Sequence, residues 1–195
     1  MTKPAEPRDA DATRRRILDA ATIEFAAFGL AGARTARIAE AARSNPRMLY
    51  AYYGSKNALF AAVLNHHAAA HTTIPFDVED LPRYAQCLFD HYRAAPHLAR
   101  LLLWQSLERS DLTNASPALR AATEHRIAAI EYAQSTGHVT LAVPAASLLD
   151  QIHTLARADA TDSTLSSRRT ADQRHELALA VGALIDPRRV AVTTA

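Results

Sequence analysis

The sequence contains few of the residues that cross-link a chain or interrupt helices. Its 195 residues include one cysteine, Cys87, so no disulfide can form within the chain and no thiolate cage can hold a metal. Glycine occurs five times, and valine and isoleucine are scarce beside alanine, a composition that favours helices over strands. No segment alternates apolar and polar residues between turn signals as a strand would. The sequence therefore predicts an all-α protein.

Long hydrophobic runs and catalytic motifs are also missing. No apolar segment approaches the roughly 18–20 residues that a membrane helix needs, and the polar residues 1–16 do not resemble a secretory signal. There is no glycine-rich phosphate loop, nucleophile elbow or His-Glu-x-x-His pair. We therefore expect a cytoplasmic protein that is not an enzyme, has no cofactor or resident metal and contacts no membrane.

Charge is distributed unevenly along the chain. Residues 1–56 carry ten basic and six acidic side chains, a net charge of +4, whereas residues 57–195 carry twelve basic and fourteen acidic ones, a net charge of −2. This asymmetry indicates a polyanionic partner for the N-terminal part. Ordinary scatter of surface charge is the alternative.

The N-terminal residues predict two helices before position 43. Ile17, Ala21 and Phe25 recur at helical spacing, and Gly29 is suited to end that first helix. A short second helix follows, for which Thr35 can serve as the N-cap.

Two further helix starts lie close behind. Asn45 is a favourable N-cap and Pro46 fits the first helical position, so a third helix is expected from Pro46 to Gly54. Ser55 is expected to cap a fourth helix that starts at Lys56. Two short helices joined by about three residues, behind a longer helix, form a helix-turn-helix.

A helix-turn-helix presents the first turn of its last helix to the major groove of DNA. There Arg47 can bond the guanine edge and Met48 can contact a thymine methyl group. Nearby hydroxyl and cationic side chains suit phosphate oxygens: Thr35, Tyr50, Tyr52 and Lys56. The alternative assigns Tyr50, Tyr52 and Tyr53 to a small core.

The combined spacing resembles the DNA-binding domain of the tetracycline-repressor (TetR) family. The resemblance covers about residues 13–60 and rests on Arg16-Ile17-Leu18-x-Ala20-Ala21-x-x-x-Phe25-x-x-x-Gly29, Thr35-x-x-Ile38-Ala39-x-x-Ala42 and Leu49-Tyr50-x-Tyr52-Tyr53-x-Ser55-Lys56-x-x-Leu59. It implies a ligand-responsive homodimeric regulator, most simply a repressor, in which each N-terminal domain binds half of a palindromic double-stranded operator. The DNA-contacting residues are then expected to be Thr35, Arg43, Asn45, Pro46, Arg47, Met48, Tyr50, Tyr52 and Lys56.

The sequence departs from this family in the turn. Arg43, Ser44 and Arg47 stand where the family usually has glycine, valine and a small residue. A residue other than glycine in a left-handed conformation costs on the order of 1–2 kcal/mol. Arg43 is either a phosphate contact or a surface cation, and the operator sequence stays open.

The remainder predicts a helical body for ligand binding and dimerisation. We expect a DNA-binding domain over residues 9–56, this body over residues 57–187, about nine helices in all, and disordered tails at 1–8 and 188–195. Ligand pockets between helices combine apolar walls with a few polar groups. Side chains of that mixed character predict a pocket for an unknown small-molecule effector, lined by Tyr84, Leu88, His91, Leu101, Trp104, Gln105, Glu108, His125 and Tyr132. Trp104 has an alternative place in the core.

Apolar stripes on the last two helices predict the dimer interface, as the two subunits can form a four-helix bundle. The expected contacts are Leu148, Ile152, Leu155, Leu177, Val181 and Leu184. Alternatively, these stripes pack within their own subunit.

Two other functions stay open at this point. His67 and His71 stand four residues apart and can face one metal, but a solvated, histidine-rich helix end explains them better. The chain can thus be a small helical metal-binding protein or enzyme. It can also be a helical interaction module whose atypical turn has disabled DNA binding.

Overall fold

In a computed structural model of the chain, residues 7–108, 117–161, 170–186 and 188 are described. They contain nine α-helices, a 3-10 turn at Val78–Asp80 and no strand, which confirms the all-α prediction. The helices are α1 (Pro7–Gly32), α2 (Thr35–Ala41), α3 (Pro46–Tyr53), α4 (Lys56–Thr72), α5 (Leu81–Ala94), α6 (Pro96–Glu108), α7 (Pro117–Ser135), α8 (Ala145–Thr161) and α9 (Thr170–Ile185). None of the described helices is long and apolar enough to cross a membrane.

Several helix ends lie where local capping chemistry predicts them. Asn45 accepts a hydrogen bond from the Met48 amide at 2.9 Å, and Ser55 accepts one from the Ala58 amide at 3.0 Å. The Thr35 prediction was wrong, because the extended N-cap residue of α2 is Arg34, whose own side chain makes no capping hydrogen bond.

The long first helix is interrupted where glycine predicts its end. Gly29 has φ 69°, and one more turn follows it to Gly32. A Cβ atom at position 29 would lie 2.6 Å from Oε1 of Glu108 and 2.8 Å from a ring carbon of Trp104. Gly29 therefore satisfies both a left-handed backbone and a close approach by α6.

The described residues divide into two compact units. The first unit contains residues 7–69 and 100–108, and the second contains residues 70–99, 117–161, 170–186 and 188. The expected boundary at residues 56 and 57 differs from this division, since the first part of α4 and most of α6 belong to the first unit. Phe60 and Leu101 complete its core, where the Phe25 and Phe60 rings meet edge to face at 5.0 Å.

In the second unit, α5 packs against α8 and α9, and α7 packs against α8. Gly137, at φ 80°, follows the end of α7, as expected of a glycine there. The side-chain amide of Gln134 donates hydrogen bonds to the main-chain carbonyls of Thr140 and Val143 and so orders the loop before α8.

Some predictions meet the limits of the described residues. The expected disordered tail at 1–8 is corrected at residues 7 and 8, which belong to α1. Most of the expected C-terminal tail at 188–195 lies outside the described residues.

Candidate functional site

Helix α3 buries one side and exposes the start of the other. Leu49 is fully buried in the first unit's core, whereas Pro46 and Arg47 are exposed and Met48 is partly exposed. The Asn45 cap fixes this first turn from behind. The helix therefore holds a guanidinium and a thioether at an open surface on a rigid support.

The turn between α2 and α3 is closed by a residue that rarely adopts its conformation. Arg43 has φ 50°, the one positive value outside glycine among the described residues. Its amide donates to the Glu40 carbonyl at 3.0 Å, and that of Ser44 donates to the Ala39 carbonyl at 2.8 Å. These two bonds form a Schellman motif, in which glycine is usual. The motif thus survives with an exposed cation at its apex.

Hydroxyl groups flank α3. The hydroxyl oxygens of Thr35 and Tyr50 lie 3.4 Å apart, and Tyr50 is 45% exposed. Tyr52 is partly buried beneath the guanidinium of Arg14, which lies 5.6 Å from the ring centre. The Tyr53 hydroxyl donates to the Arg14 carbonyl at 2.9 Å, a structural position.

Lys56 has a local role at the same surface. Its ammonium donates to the carbonyls of Ala31 and Ala33, at 3.3 and 3.1 Å. An ammonium has three N–H donors, so one is left for a further acceptor. Because α1 ends in unpaired carbonyls, Lys56 caps that helix as well as adding charge beside α3.

A buried acid, which sequence reasoning missed, holds the start of α2. The carboxylate of Glu24 accepts from the Arg34 amide at 2.8 Å and forms an ion pair with the Arg37 guanidinium at 2.5 Å. Burial raises the pKa of Glu24, but these hydrogen bonds outweigh it and the pKa falls below its ordinary value. The available signal was an acid inside the apolar stripe of α1.

Four of the predicted pocket residues lie on α6 in the first unit. Leu101 is buried in that unit's core, and Trp104 donates its Nε1 hydrogen to the Ala26 carbonyl at 3.2 Å. Glu108 accepts from the Leu30 and Ala31 amides, and Gln105 is partly buried. Leu101, Trp104 and Glu108 therefore support α1 within the first unit, and their assignment to a pocket stays a prediction.

The other pocket residues belong to the second unit. His125 and Tyr132 are exposed on α7, which corrects their assignment to an interior pocket. Tyr84 and Leu88 are buried on α5, and His91 is partly buried there. Tyr84 and His91 belong to a polar cluster that the sequence did not predict.

That cluster combines side chains from four helices. We use the name Arg126 cluster for Arg126 of α7, His71 of α4, Tyr84, His91 and Tyr92 of α5, and His153 of α8. Arg126 is 3% exposed and His71 is 8% exposed, so the expectation of a solvated histidine end is wrong at His71. Arg126 occupies the buried face of α7 with Ile130 and Ala133, a spacing that the sequence does carry.

Burial sets the protonation of this cluster. It lowers the pKa of His71 to about 4 and that of His153 to about 3, and the charge of Arg126 adds to both shifts. Burial also raises the pKa of Tyr92 to about 12. The Tyr84 hydroxyl and Nε2 of His153 share a hydrogen bond of 2.8 Å. At neutral pH the imidazoles of His71 and His153 are therefore uncharged and the guanidinium is charged.

The predicted dimer residues occupy two kinds of position. Leu148, Ile152, Leu177 and Val181 are buried within the single chain, so they have no surface left for a partner. This corrects their assignment, because α8 and α9 turn these stripes towards their own unit. Leu155 and Leu184 keep partial exposure.

The exposed side of α9 carries a different apolar surface. Leu179 is 61% exposed. It helps to line a shallow groove with Pro82, Ala178, Gly182, Ala183 and Asp186.

Comparisons with known proteins identify relatives over both units. The family model for bacterial regulatory proteins of the tetR family matches residues 17–63, and that for the tetracyclin repressor-like C-terminal domain matches residues 80–185. The transcriptional repressor SCO4008 of Streptomyces coelicolor is 41% identical over 146 residues, covering 73% of this chain and 75% of its own. The repressor NicS of Pseudomonas putida is 34% identical over 122 residues, 58% of each chain.

A solved structure shows the same architecture. The crystal structure of SCO4942 from Streptomyces coelicolor superposes with a TM-score of 0.74 at 34% identity. The match covers 89% of this chain and 98% of that one.

Proposed function

Since the chain belongs to the tetracycline-repressor family of transcriptional regulators, we propose that it is a homodimeric repressor that binds a palindromic operator through α3 and releases it in response to a small molecule. Regulators of this family bind DNA and small-molecule effectors, typically act as dimers and are not enzymes. A regulator that binds DNA acts where the DNA lies, so this proposal includes action in the cytoplasm.

The outward first turn of α3 is the observation that supports this proposal. Pro46 and Arg47 are exposed at the end of a helix that Leu49 anchors in the core. A guanidinium there matches the O6 and N7 acceptors of guanine, and the partly exposed Met48 suits a thymine methyl group. We therefore assign the base contacts to Arg47 and Met48.

The surrounding side chains suit the DNA backbone. The paired hydroxyls of Thr35 and Tyr50, the free donor of Lys56 and the exposed guanidinium of Arg43 all match phosphate oxygens. Tyr52, whose ring lies under the guanidinium of Arg14, stays a candidate for the same role. Phosphate contacts position a helix without specifying the DNA sequence. We therefore expect these residues to determine the affinity for any duplex, and Arg47 and Met48 to determine the preference for the operator.

We place the dimer interface on the exposed face of α9. Leu179 is a large apolar side chain left in solvent, and the small residues Ala178, Gly182 and Ala183 beside it allow another helix to approach closely. The partly exposed Leu155 and Leu184 remain candidates at its margin. The proposed interface therefore excludes the four buried side chains Leu148, Ile152, Leu177 and Val181 and uses surface that a partner can cover.

Regulation requires communication between the ligand site and α3. A twofold dimer places its recognition helices about 34–36 Å apart, one turn of duplex. Helix α4 starts at Lys56 in the first unit and carries His71 in the second. An effector that binds one arrangement of α4 more tightly than another would shift the population between DNA-binding and released states.

An electrophoretic titration with the DNA upstream of the protein's own gene tests this proposal. At physiological salt, we expect binding to that DNA to be at least about 10³-fold tighter than to a scrambled duplex of equal length. Equal affinity for the two duplexes would contradict the proposal. Absence of binding to both would instead favour an interaction module with a disabled helix-turn-helix.

A further inference from the structure

Arg126 is a buried cation without a carboxylate partner among the described residues. Its Nη2 donates to the main-chain carbonyl of His71 at 3.3 Å, and its guanidinium lies 5.3 Å from the ring centre of Tyr84 and 5.8 Å from that of Phe76. Its Nη1 has no hydrogen-bond partner. Burying a charge costs several kcal/mol unless another group compensates it, so this position requires an explanation.

The other unsatisfied buried atoms belong to the same cluster. Among the described residues, the buried side-chain nitrogens or oxygens that lack a partner are Nη1 of Arg126, Nδ1 of His71 and Nε2 of His91. The His71 and His91 rings are 5.8 Å apart. Isolated unsatisfied atoms occur in native proteins, but each calls for a reason. Three in one cluster indicate a polar group that they can bind together.

The charge of the cluster selects the sign of that group. His71 and His153 are neutral at neutral pH, and Arg126 is positive and acts on both of them. Arg157 adds positive potential near His153 and Tyr92. The described residues also contain no group of three or more His, Cys, Asp or Glu side chains that could hold a metal ion. The field therefore favours an anion over a cation.

The surroundings narrow the anion further. A guanidinium binds a carboxylate through two parallel hydrogen bonds, and imidazole nitrogens can donate to the same oxygens. The rings of Phe76, Tyr84 and Tyr92 offer apolar contact for the rest of a ligand. We propose that the second unit binds a small organic carboxylate, with its carboxyl group against Arg126 and its apolar part against these rings. The role of this carboxylate as the effector rests on the proposed function above, whereas its binding to the second unit does not.

The test compares carboxylates with their uncharged amides on the full-length protein. Benzoate and butyrate are titrated at constant ionic strength against benzamide and butyramide, and the melting temperature and calorimetric heat are recorded. We expect both carboxylates to raise the melting temperature in a concentration-dependent manner and the amides to leave it unchanged. Equal effects of acids and amides, or no effect of either carboxylate, would overturn the proposal.

Two substitutions on α7 locate the site. Arg126→Met should weaken carboxylate binding at least tenfold, whereas Arg120→Met, which removes an exposed arginine from the same helix, should leave it unchanged. Without ligand, Arg126→Met should melt no lower than the wild type, because it removes an uncompensated buried charge. A clearly lower melting temperature would show that Arg126 serves the fold, and equal binding by both variants would show an adventitious anion only.

Operator binding by the same proteins separates this proposal from the one on which it builds. Arg126→Met should bind the operator as the wild type does, but benzoate should no longer alter that affinity. Carboxylate binding by a protein that fails to recognise any operator would refute the repressor and retain the site. Operator recognition with no carboxylate binding would do the reverse.

Discussion

At the scale of single residues, Arg43 keeps a helix-turn-helix in a conformation that glycine adopts without cost. Its φ of 50° places the backbone in the left-handed region, which costs a residue with a Cβ atom about 1–2 kcal/mol. Its guanidinium is exposed beside α3. Arg43 therefore lowers the stability of the first unit but adds a positive charge at the surface that we propose binds DNA.

These two effects of Arg43 predict opposite changes in stability and binding. Arg43→Gly should raise the free energy of unfolding by about 1 kcal/mol, since it relieves the strain. It should also weaken DNA binding and make the slope of log affinity against log salt concentration shallower by about 0.9, the value for one phosphate contact. Arg43→Ala is the matched control, because it removes the same charge and keeps the strain. Denaturant titration and salt-dependent DNA binding measure both quantities. A gain in stability for both variants would show that charge, not backbone strain, is responsible.

Residues differ in how much of their role the sequence reveals. Asn45 and Ser55 cap helices through neighbours three positions away, so local sequence was sufficient. Glu24 and Arg126 depend on partners that the fold brings from other helices, so only their appearance on apolar faces was visible. His71 was judged from its histidine-rich neighbourhood, which gave no sign of the helices that bury it.

At the scale of elements, we propose that different residues of α3 serve base recognition and phosphate binding. Arg47→Ala should reduce the ratio of operator to scrambled-DNA affinity by about 10-fold to 100-fold, as one bidentate base contact is worth about 1–3 kcal/mol. Tyr50→Phe removes a hydroxyl and keeps the ring, so it should weaken binding to both duplexes by a similar factor. Lys56 is less suited to this comparison because its ammonium also binds the carbonyls of Ala31 and Ala33.

Titration of both variants against both duplexes checks this division. If Arg47→Ala and Tyr50→Phe changed the affinity ratio equally, the assignment of Arg47 to a base edge would be wrong.

Helix bounds were more predictable than helix partners. The bounds of α3 and the start of α7 follow from caps and prolines within a few residues. An apolar stripe shows that a helix face is covered, but not whether its own chain or another covers it. Leu148 and Val181 carry such stripes and pack inside the second unit.

At the scale of the whole molecule, assembly through α9 gives the last prediction. Leu179→Glu places a charge in the proposed interface and should weaken dimerisation at least tenfold, because an interface leaves that carboxylate without a partner. Ala180→Glu, exposed on the same helix but outside the groove, should stay dimeric. Sedimentation velocity distinguishes the two, and circular dichroism should show equal helix content. A dimeric Leu179→Glu variant would place the interface elsewhere.

The division into units was the least predictable feature of the fold. Residues 100–108 join the first unit although about 30 residues of the second precede them. Nothing in the local pattern of α6 distinguishes Leu101, in the first unit's core, from apolar residues of the second. That distinction depends on contacts between distant segments, which one sequence does not specify.

The placement of Trp104 has an optical consequence. It is the sole tryptophan of the chain, and its indole donates to Ala26 within the first unit. Its emission therefore reports on that unit, while the lone thiol of Cys87, partly buried on α5 in the second, can carry a dye. The chain thus has native handles for following the two units separately as they melt.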